Sequence, residues 1–385
     1  MKKIHLLPTL FLSLATSFMT GCSDWTDVEA EVFPEDITSE EYYEALREYK
    51  RSDHQLAFGW FGGWSGEGAF MKKSLAGIPD SVDIISIWDN GLGLSDAQKR
   101  DMQFVQQVKG TKVVFCRILK NVGDGFTPAY VGEGLDQDGQ EYRNAVNEFW
   151  GFPSDESDQA AVESAIRKYA RAVVDTLNVY GYDGFDIDYE PTAGPHVGNL
   201  IKRGSGGNYA NNENFAIFLD ELGKYLGPKS GTGKLLLIDG EPQSMTDRPE
   251  LGVYFDYFVI QAYNSGSDTR LDGRLLGGSG AYNCGLVETF GEVLGEEKVT
   301  NMTIMTENFE AVDVAMNGGY DYTDRWGNSM KSLEGFARWQ PRNGFRKAGV
   351  GTYHMEAEYG TNPEYKNLRN AIQIMNPSGH SLLKK

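Results

Sequence analysis

The chain has 385 residues, enough for two average domains or for one large α/β barrel. Apolar residues make up 40% and aromatics 12%, with 20 Tyr, 20 Phe and 7 Trp, which supplies a core and a surplus of flat rings of the kind that stack on the C–H faces of sugars. Against 36 Lys and Arg stand 55 Asp and Glu, a net charge of −19, and such a surface excludes nucleic acid as a natural partner.

The first residues, MKKIHLLPTLFLSLATSFMTGC, combine Lys2 and Lys3, an apolar stretch and small residues just before Cys22, the layout of an export signal. The stretch is too short and too poorly flanked for a stable membrane span. Met19-Thr20-Gly21-Cys22 resembles the lipobox of bacterial lipoproteins, which implies a signal over residues 1–21, a lipid on Cys22 and a tether over 22–37. The polar and acidic residues after Cys22 suit such a tether and resemble surface-export signals of some Gram-negative lipoproteins. The expected location is therefore outside the cytoplasm, on the outer membrane or cell surface of a Gram-negative bacterium, with lipid as the only membrane contact. An ordinary cleaved signal that happens to contain Cys22 is the alternative. The other two cysteines are Cys116, inside the apolar run KVVFCRIL and read as a core residue, and Cys284; sequence leaves open whether they pair.

Thr38 and Glu41 form a capping-box pattern that opens a helix to about residue 49. Short β-rich runs follow at 55–61, 82–88, 112–119, 184–190, 234–239, 255–263, 299–306 and 348–354. Helical periodicity is clearest over 159–179, 212–226 and 362–375. Strand–helix alternation repeated eight times predicts a single-domain (β/α)₈ barrel over residues 38–385. A doubly wound sheet is the alternative, ranked second because the glycines of GWFGGWSGEG have the wrong spacing for a dinucleotide fingerprint.

The fourth run, GYDGFDIDYE, carries Asp183, Asp186, Asp188 and Glu190 interleaved with Phe185, Ile187 and Tyr189. On a strand, residues two apart share a face, so Asp186, Asp188 and Glu190 point one way and the apolar set the other. In a barrel the acids then face the lumen, with Glu190 last, at the C-terminal end where barrel enzymes keep their chemistry. Asp183 is out of phase, a shift that a bulge at Gly184 would absorb. Carboxylates stacked in a lumen cannot all ionise, so one is held protonated, and the longer arm of Glu190 is best placed to act as a general acid. A calcium loop also spaces acids by two but needs a glycine turn and polar neighbours, and a solvated edge strand leaves the apolar partners unexplained. His54, His196 and His354 are too scattered for a metal triad, no H-E-x-x-H occurs, and neither metal nor cofactor is expected.

DGFDIDYE resembles the D-G-x-D-x-D-x-E signature of glycoside hydrolase family 18, the chitinases and endo-β-N-acetylglucosaminidases. The resemblance implies a retaining, substrate-assisted mechanism. It makes Glu190 the acid for the leaving oxygen and Asp188 the support of the substrate's own acetamido group. Asp186 would hold Asp188, and Asp183 would be structural. Gln261-Ala262-Tyr263 resembles the family's Gln-x-Tyr element, whose tyrosine binds the acetamido oxygen. Tyr353 stands near the place of the usual sugar-floor tryptophan, and Trp60, Trp64 and Trp88 end the first two strands as candidate platforms. The family's Ser-x-Gly-Gly on the third strand is replaced by FCRILKN. Many processive chitinases carry a large insertion between the seventh and eighth strands; here that connection is short, which points to N-acetylglucosamine-containing N-linked glycans rather than chitin. A glycan-binding protein on the same fold is the competing class, and its relatives usually lose one of these acids.

Overall fold

The computed structural model describes residues 40–377 apart from 69, 193–195, 204–209, 212 and 279–283. The expected signal over 1–21, the tether over 22–37, Cys22 and the Thr38 cap lie outside the described residues.

Eight strands form one closed barrel: β1 (Leu56–Phe61), β2 (Ile84–Ile87), β3 (Lys112–Ile118), β4 (Gly184–Tyr189), β5 (Leu235–Gly240), β6 (Tyr257–Gln261), β7 (Thr303–Asn308) and β8 (Gly349–Tyr353). Each pairs in parallel with the next, and β8 pairs back onto β1. Helices connect them around the outside, so the expected (β/α)₈ barrel forms, and residues from Tyr42 onward belong to one unit.

Alternation along each strand builds two separate cores. Phe58, Trp60, Ile84, Val114, Cys116 and Leu237 meet inside the barrel. Phe61, Ile85, Phe115, Phe185, Ile187 and Tyr189 face outward and join the helices. Because both faces are covered, all six residues of β4 are buried. Its outer face is clamped by the helices that flank it in sequence. Helix Gln159–Tyr180 starts on Asp158, whose carboxylate accepts the amide of Ala161, and buries a stripe of Val162, Ile166, Tyr169, Val173 and Leu177 at helical spacing. It stops at Gly181, in the left-handed region at φ 81°, which turns the chain directly into β4. Tyr189 stacks on Phe215 of helix Glu213–Leu222 at 5.2 Å between ring centroids.

No bulge absorbs Asp183. Gly184 is the first residue of β4, in register with Leu235, and a Cβ there would lie 2.3 Å from the Leu235 carbonyl oxygen. The glycine therefore serves close strand approach. The seventh strand also begins later than expected: residues 299–301 belong to helix Glu296–Asn301, whose acids Glu296 and Glu297 sit in the first turn where the helix dipole favours them. The helix expected over 212–226 ends at Leu222; the next residue, Gly223, packs against the Tyr254 ring so closely that a Cβ would lie 2.5 Å from it.

Between β7 and β8 the chain forms helix Val312–Asn317, an antiparallel ribbon of Asp321–Thr323 with Ser329–Lys331, and helix Ser332–Arg338. The connection from β1 to β2 is anchored by Asp101 of helix Asp96–Phe104. That buried carboxylate accepts Trp64 Nε1 at 2.8 Å, Ser74 Oγ at 2.6 Å and the amides of Leu75 and Ala76 at 2.7 and 3.0 Å.

Candidate active site

The inward face of β4 places Asp186, Asp188 and Glu190 at successive levels, and only the upper two open to a cavity of about 220 Å³ at the C-terminal end of the barrel. Trp60, Trp88, Asp239, Gln261, Tyr263 and Tyr353 share that lining. The structure thus gathers at one cavity Asp188, Glu190, Gln261, Tyr263, Tyr353, Trp60 and Trp88 from five strand ends, and puts Asp186 directly below. It separates Asp183 from them. That carboxylate accepts the amide of Val113 at 2.9 Å and Gln106 Nε2 at 2.8 Å and pairs with Lys112, tying the start of β4 to β3. Trp64 also leaves the set: it is 3% exposed and belongs to the outer core.

Asp186 is fully buried and accepts Trp60 Nε1 at 3.0 Å and Ser86 Oγ at 2.7 Å on one oxygen. Its other oxygen has no hydrogen-bond partner. Burial pushes its pKa up to about 6, against the pull of those two donors. Asp188, 8% exposed, stands well above the ordinary carboxylate range, first through burial and then through the negative charges of Glu190, Asp186 and Glu241.

A fourth acid joins them. Asp239 is the next-to-last residue of the run LLLIDG on β5, in register with Asp188, so the two inward-facing carboxyls are neighbours across the ladder. It is buried, accepts Gln261 Nε2 at 3.1 Å, and receives the Cys116 thiol at 3.7 Å. Its pKa lies well above normal through burial and the charges of Asp188 and Asp186, with the Gln261 hydrogen bond acting the other way. Crowded in a lumen, these three acids hold protons jointly. Sequence reading missed Asp239, although one signal was present: an acid closing an otherwise apolar strand beside the acidic one.

His196, too far in sequence from the other histidines to suggest a metal triad, also lines the cavity. Its Nδ1 lies 3.2 Å from Glu190 Oε2 in a geometry that makes no hydrogen bond. Atoms of Asp188, Glu190 and His196 approach one another within 4.8 Å, as do those of Cys116, Asp186 and Asp239. Buried Cys116 and half-buried Cys284 are both free thiols, and burial pushes both upward in pKa.

Four rings wall the cavity opposite the acids. Tyr353 meets Trp88 edge-on at 5.5 Å and Trp60 at 6.1 Å, and stacks on Tyr263 at 6.0 Å. Trp60 is only 2% exposed, so it forms the floor. Burial, then the charge of Asp239, holds the Tyr263 hydroxyl protonated well beyond its usual range, leaving it a donor. The turn after Tyr263 is fixed by Glu307, which accepts the amide of Asn264 at 2.8 Å where that residue takes φ 54°. A small cavity lined by clustered carboxyls and aromatic rings fits acid–base work on a sugar.

A family model described as glycoside hydrolase family 18, BT1044-like, matches residues 23–374. A solved structure named BT1044SeMet E190Q is 31% identical, with 90% of this chain and 95% of that chain covered and a TM-score of 0.69. Endo-beta-N-acetylglucosaminidase F2 of Elizabethkingia meningoseptica is 24% identical over 346 residues, 86% of this chain and 84% of its own length. The fold is shared by the apo endo-beta-N-acetylglucosaminidase of Cordyceps militaris, 20% identical with a TM-score of 0.55 over 87% of this chain and 95% of that one. With the acidic β4 ladder intact and the match running nearly the length of the barrel, the chain belongs to glycoside hydrolase family 18.

Proposed function

We propose that the chain is a retaining endo-β-N-acetylglucosaminidase that cuts the β-1,4 bond between the two core N-acetylglucosamines of N-linked glycans. The observation that carries this reading is the meeting of Asp188, Glu190 and Tyr263 in one 220 Å³ cavity floored by Trp60. Glu190, half-buried at the open end, donates its proton to the glycosidic oxygen as the bond from C1 breaks. The acetamido oxygen of the same sugar attacks C1 and forms an oxazolinium. Asp188 supports the positive charge that develops on the acetamido nitrogen, with Asp186 below it and Asp239 in register beside it. Tyr263 donates to the acetamido oxygen and orients it, with Gln261 holding Asp239 in place. Glu190, now a carboxylate, takes a proton from the incoming water, which opens the oxazolinium and restores the β configuration.

The choice of glycan is supported by the connection between β7 and β8, two short helices and a two-stranded ribbon that contribute no residue to the cavity lining. The endoglycosidase name of the Elizabethkingia relative agrees with it. Incubating purified protein in parallel with a high-mannose glycoprotein, a complex-type glycoprotein and chitin oligomers tests the reading. Glycans released with one N-acetylglucosamine left on asparagine, and a first-formed β-anomer by NMR, are expected. Rapid cleavage of chitotetraose with untouched glycoproteins would make the protein a chitinase, and tight glycan binding without products would make it a binding protein.

A further inference from the structure

Above β3, next to the catalytic cavity, lies a larger one of about 620 Å³. The two share Trp88, Cys116 and Ile118 in their linings, so a ligand in one continues past Trp88 into the other. Only the outer cavity reaches the size of ordinary small-molecule sites, about 300–1,000 Å³. A branched substrate therefore has more room on the β2–β3 side of the barrel than at the reacting bond.

The charges of this outer cavity are unevenly satisfied. Arg143 donates to Asp124 at 2.9 Å and to the Val122 carbonyl at 3.1 Å, and Asp124 also accepts the amides of Lys120 and Asn121, so that pair is closed on itself. The side chains of Arg117 and Lys120 have no hydrogen-bond or ion-pair partner among the described residues, although the chain carries 55 acids. Lys120 is half-buried, and Arg117 is exposed. Arg117 lies across Gly125, where a Cβ would come within 2.5 Å of its Nε; with φ 74° there, the bare backbone makes the seat for the guanidinium. Asp89 and Asp138 also line the cavity, both exposed at its rim.

We propose that this outer cavity is a subsite for an acidic sugar, one bearing a carboxylate, on an arm of the glycan whose core occupies the catalytic cavity. The proposal rests on the endoglycosidase reading for its substrate. A guanidinium fork matches a carboxylate through paired, charge-assisted hydrogen bonds, and Lys120 adds a second cation. The rings of Trp88 and Tyr142 offer flat faces to the sugar, and the rim acids accept from its hydroxyls. A sulfated arm shares the anionic charge, and the test separates it from a carboxylate.

The test measures kcat/KM on matched glycopeptides that are sialylated, desialylated or sulfated, for wild type, Arg117→Gln and Lys120→Gln. Wild type is expected to favour the sialylated glycopeptide, and Arg117→Gln to lose about tenfold on it while cleaving the desialylated one at the wild-type rate. Equal loss on both, absence of any preference in wild type, or a preference confined to the sulfated arm overturns the proposal. If wild type cleaves none of them, calorimetric binding of the same three glycopeptides separates the two ideas. Tighter binding of the sialylated form, removed by Arg117→Gln, keeps the subsite and sinks the endoglycosidase reading, whereas equal or absent binding sinks both.

Discussion

Glu190 and Asp239 are both carboxylates of the same cavity, but their surroundings give them different work. Glu190 is half-buried at the open end, within reach of a leaving oxygen, and its proposed role is to move a proton. Glu190→Gln keeps size and hydrogen-bonding capacity but has no proton to give, so hydrolysis should fall by at least ~10²-fold with glycan affinity largely kept. Turnover near the wild-type rate, measured beside calorimetric binding, would remove Glu190 from the mechanism. Asp239 is deeply buried, and its raised pKa means that the folded protein holds the proton more tightly than the unfolded chain does. Asp186 and Asp188 are raised in the same direction. Stability from such groups is fully present below the ordinary carboxylate range, falls as pH rises above that range, and levels off once the folded value is passed, near 6 for Asp186. Asp239→Asn retains an acceptor for Gln261 and cannot ionise. It should therefore raise Tm at about pH 8 while changing Tm little at about pH 3, below the ordinary carboxylate range, flattening the decline between them. An unchanged slope of Tm against pH would show that Asp239 ionises freely in the fold.

At the level of elements, the cavity depends on connections that the barrel itself does not hold in place. The link from β1 to β2 carries Trp64 and the turns around Ser74–Ala76, all fastened to the one carboxylate of Asp101. Asp101→Ala removes four hydrogen bonds at once and leaves buried donors unsatisfied, so a loss on the order of 3 kcal/mol is expected in denaturant unfolding. Asp101→Asn, which keeps an acceptor, should lose less. Equal stability of Asp101→Ala and wild type would mean that water replaces the carboxylate. The last helix, Lys366–Met375, is held in a comparable way by Glu358, whose carboxylate accepts the amides of Asn367 and Leu368 at the helix start.

At the scale of the whole molecule, we propose from the stretch Met19-Thr20-Gly21-Cys22 that a lipid on Cys22 holds the protein at a membrane surface. No helix among the described residues is long and apolar enough to cross a membrane. Mass spectrometry of the mature protein should show an acylated Cys22 at its start, and Cys22→Ala should release it from the membrane fraction. A soluble wild-type protein beginning downstream of Cys22 would end that proposal. A tether there would leave the barrel mouth free to meet large glycoproteins outside the cell, the setting in which an outer subsite for one glycan arm is useful.

Much of the barrel could be read from local pattern, because each strand shows its period-two alternation within a few residues and GFDIDY names the inward acids by phase alone. The same reasoning brought Gln261 and Tyr263 to one face. Boundaries failed where a local rule competed: the run expected from 299 continues a helix because Glu296 and Glu297 favour a helix start. What the sequence by itself determined is therefore the fold, the family resemblance and the acidic ladder, all of which depend on neighbours in the chain. Only the tertiary structure decided that Asp239 stands beside Asp188, that His196 returns to Glu190, and that Tyr353 closes a ring wall with Trp60, Trp88 and Tyr263. Those meetings depend on the register between strands and on barrel closure, which bring together residues far apart in sequence. The raised pKa values follow from the same cause, since burial and proximity to other acids arise only when the barrel has closed around them.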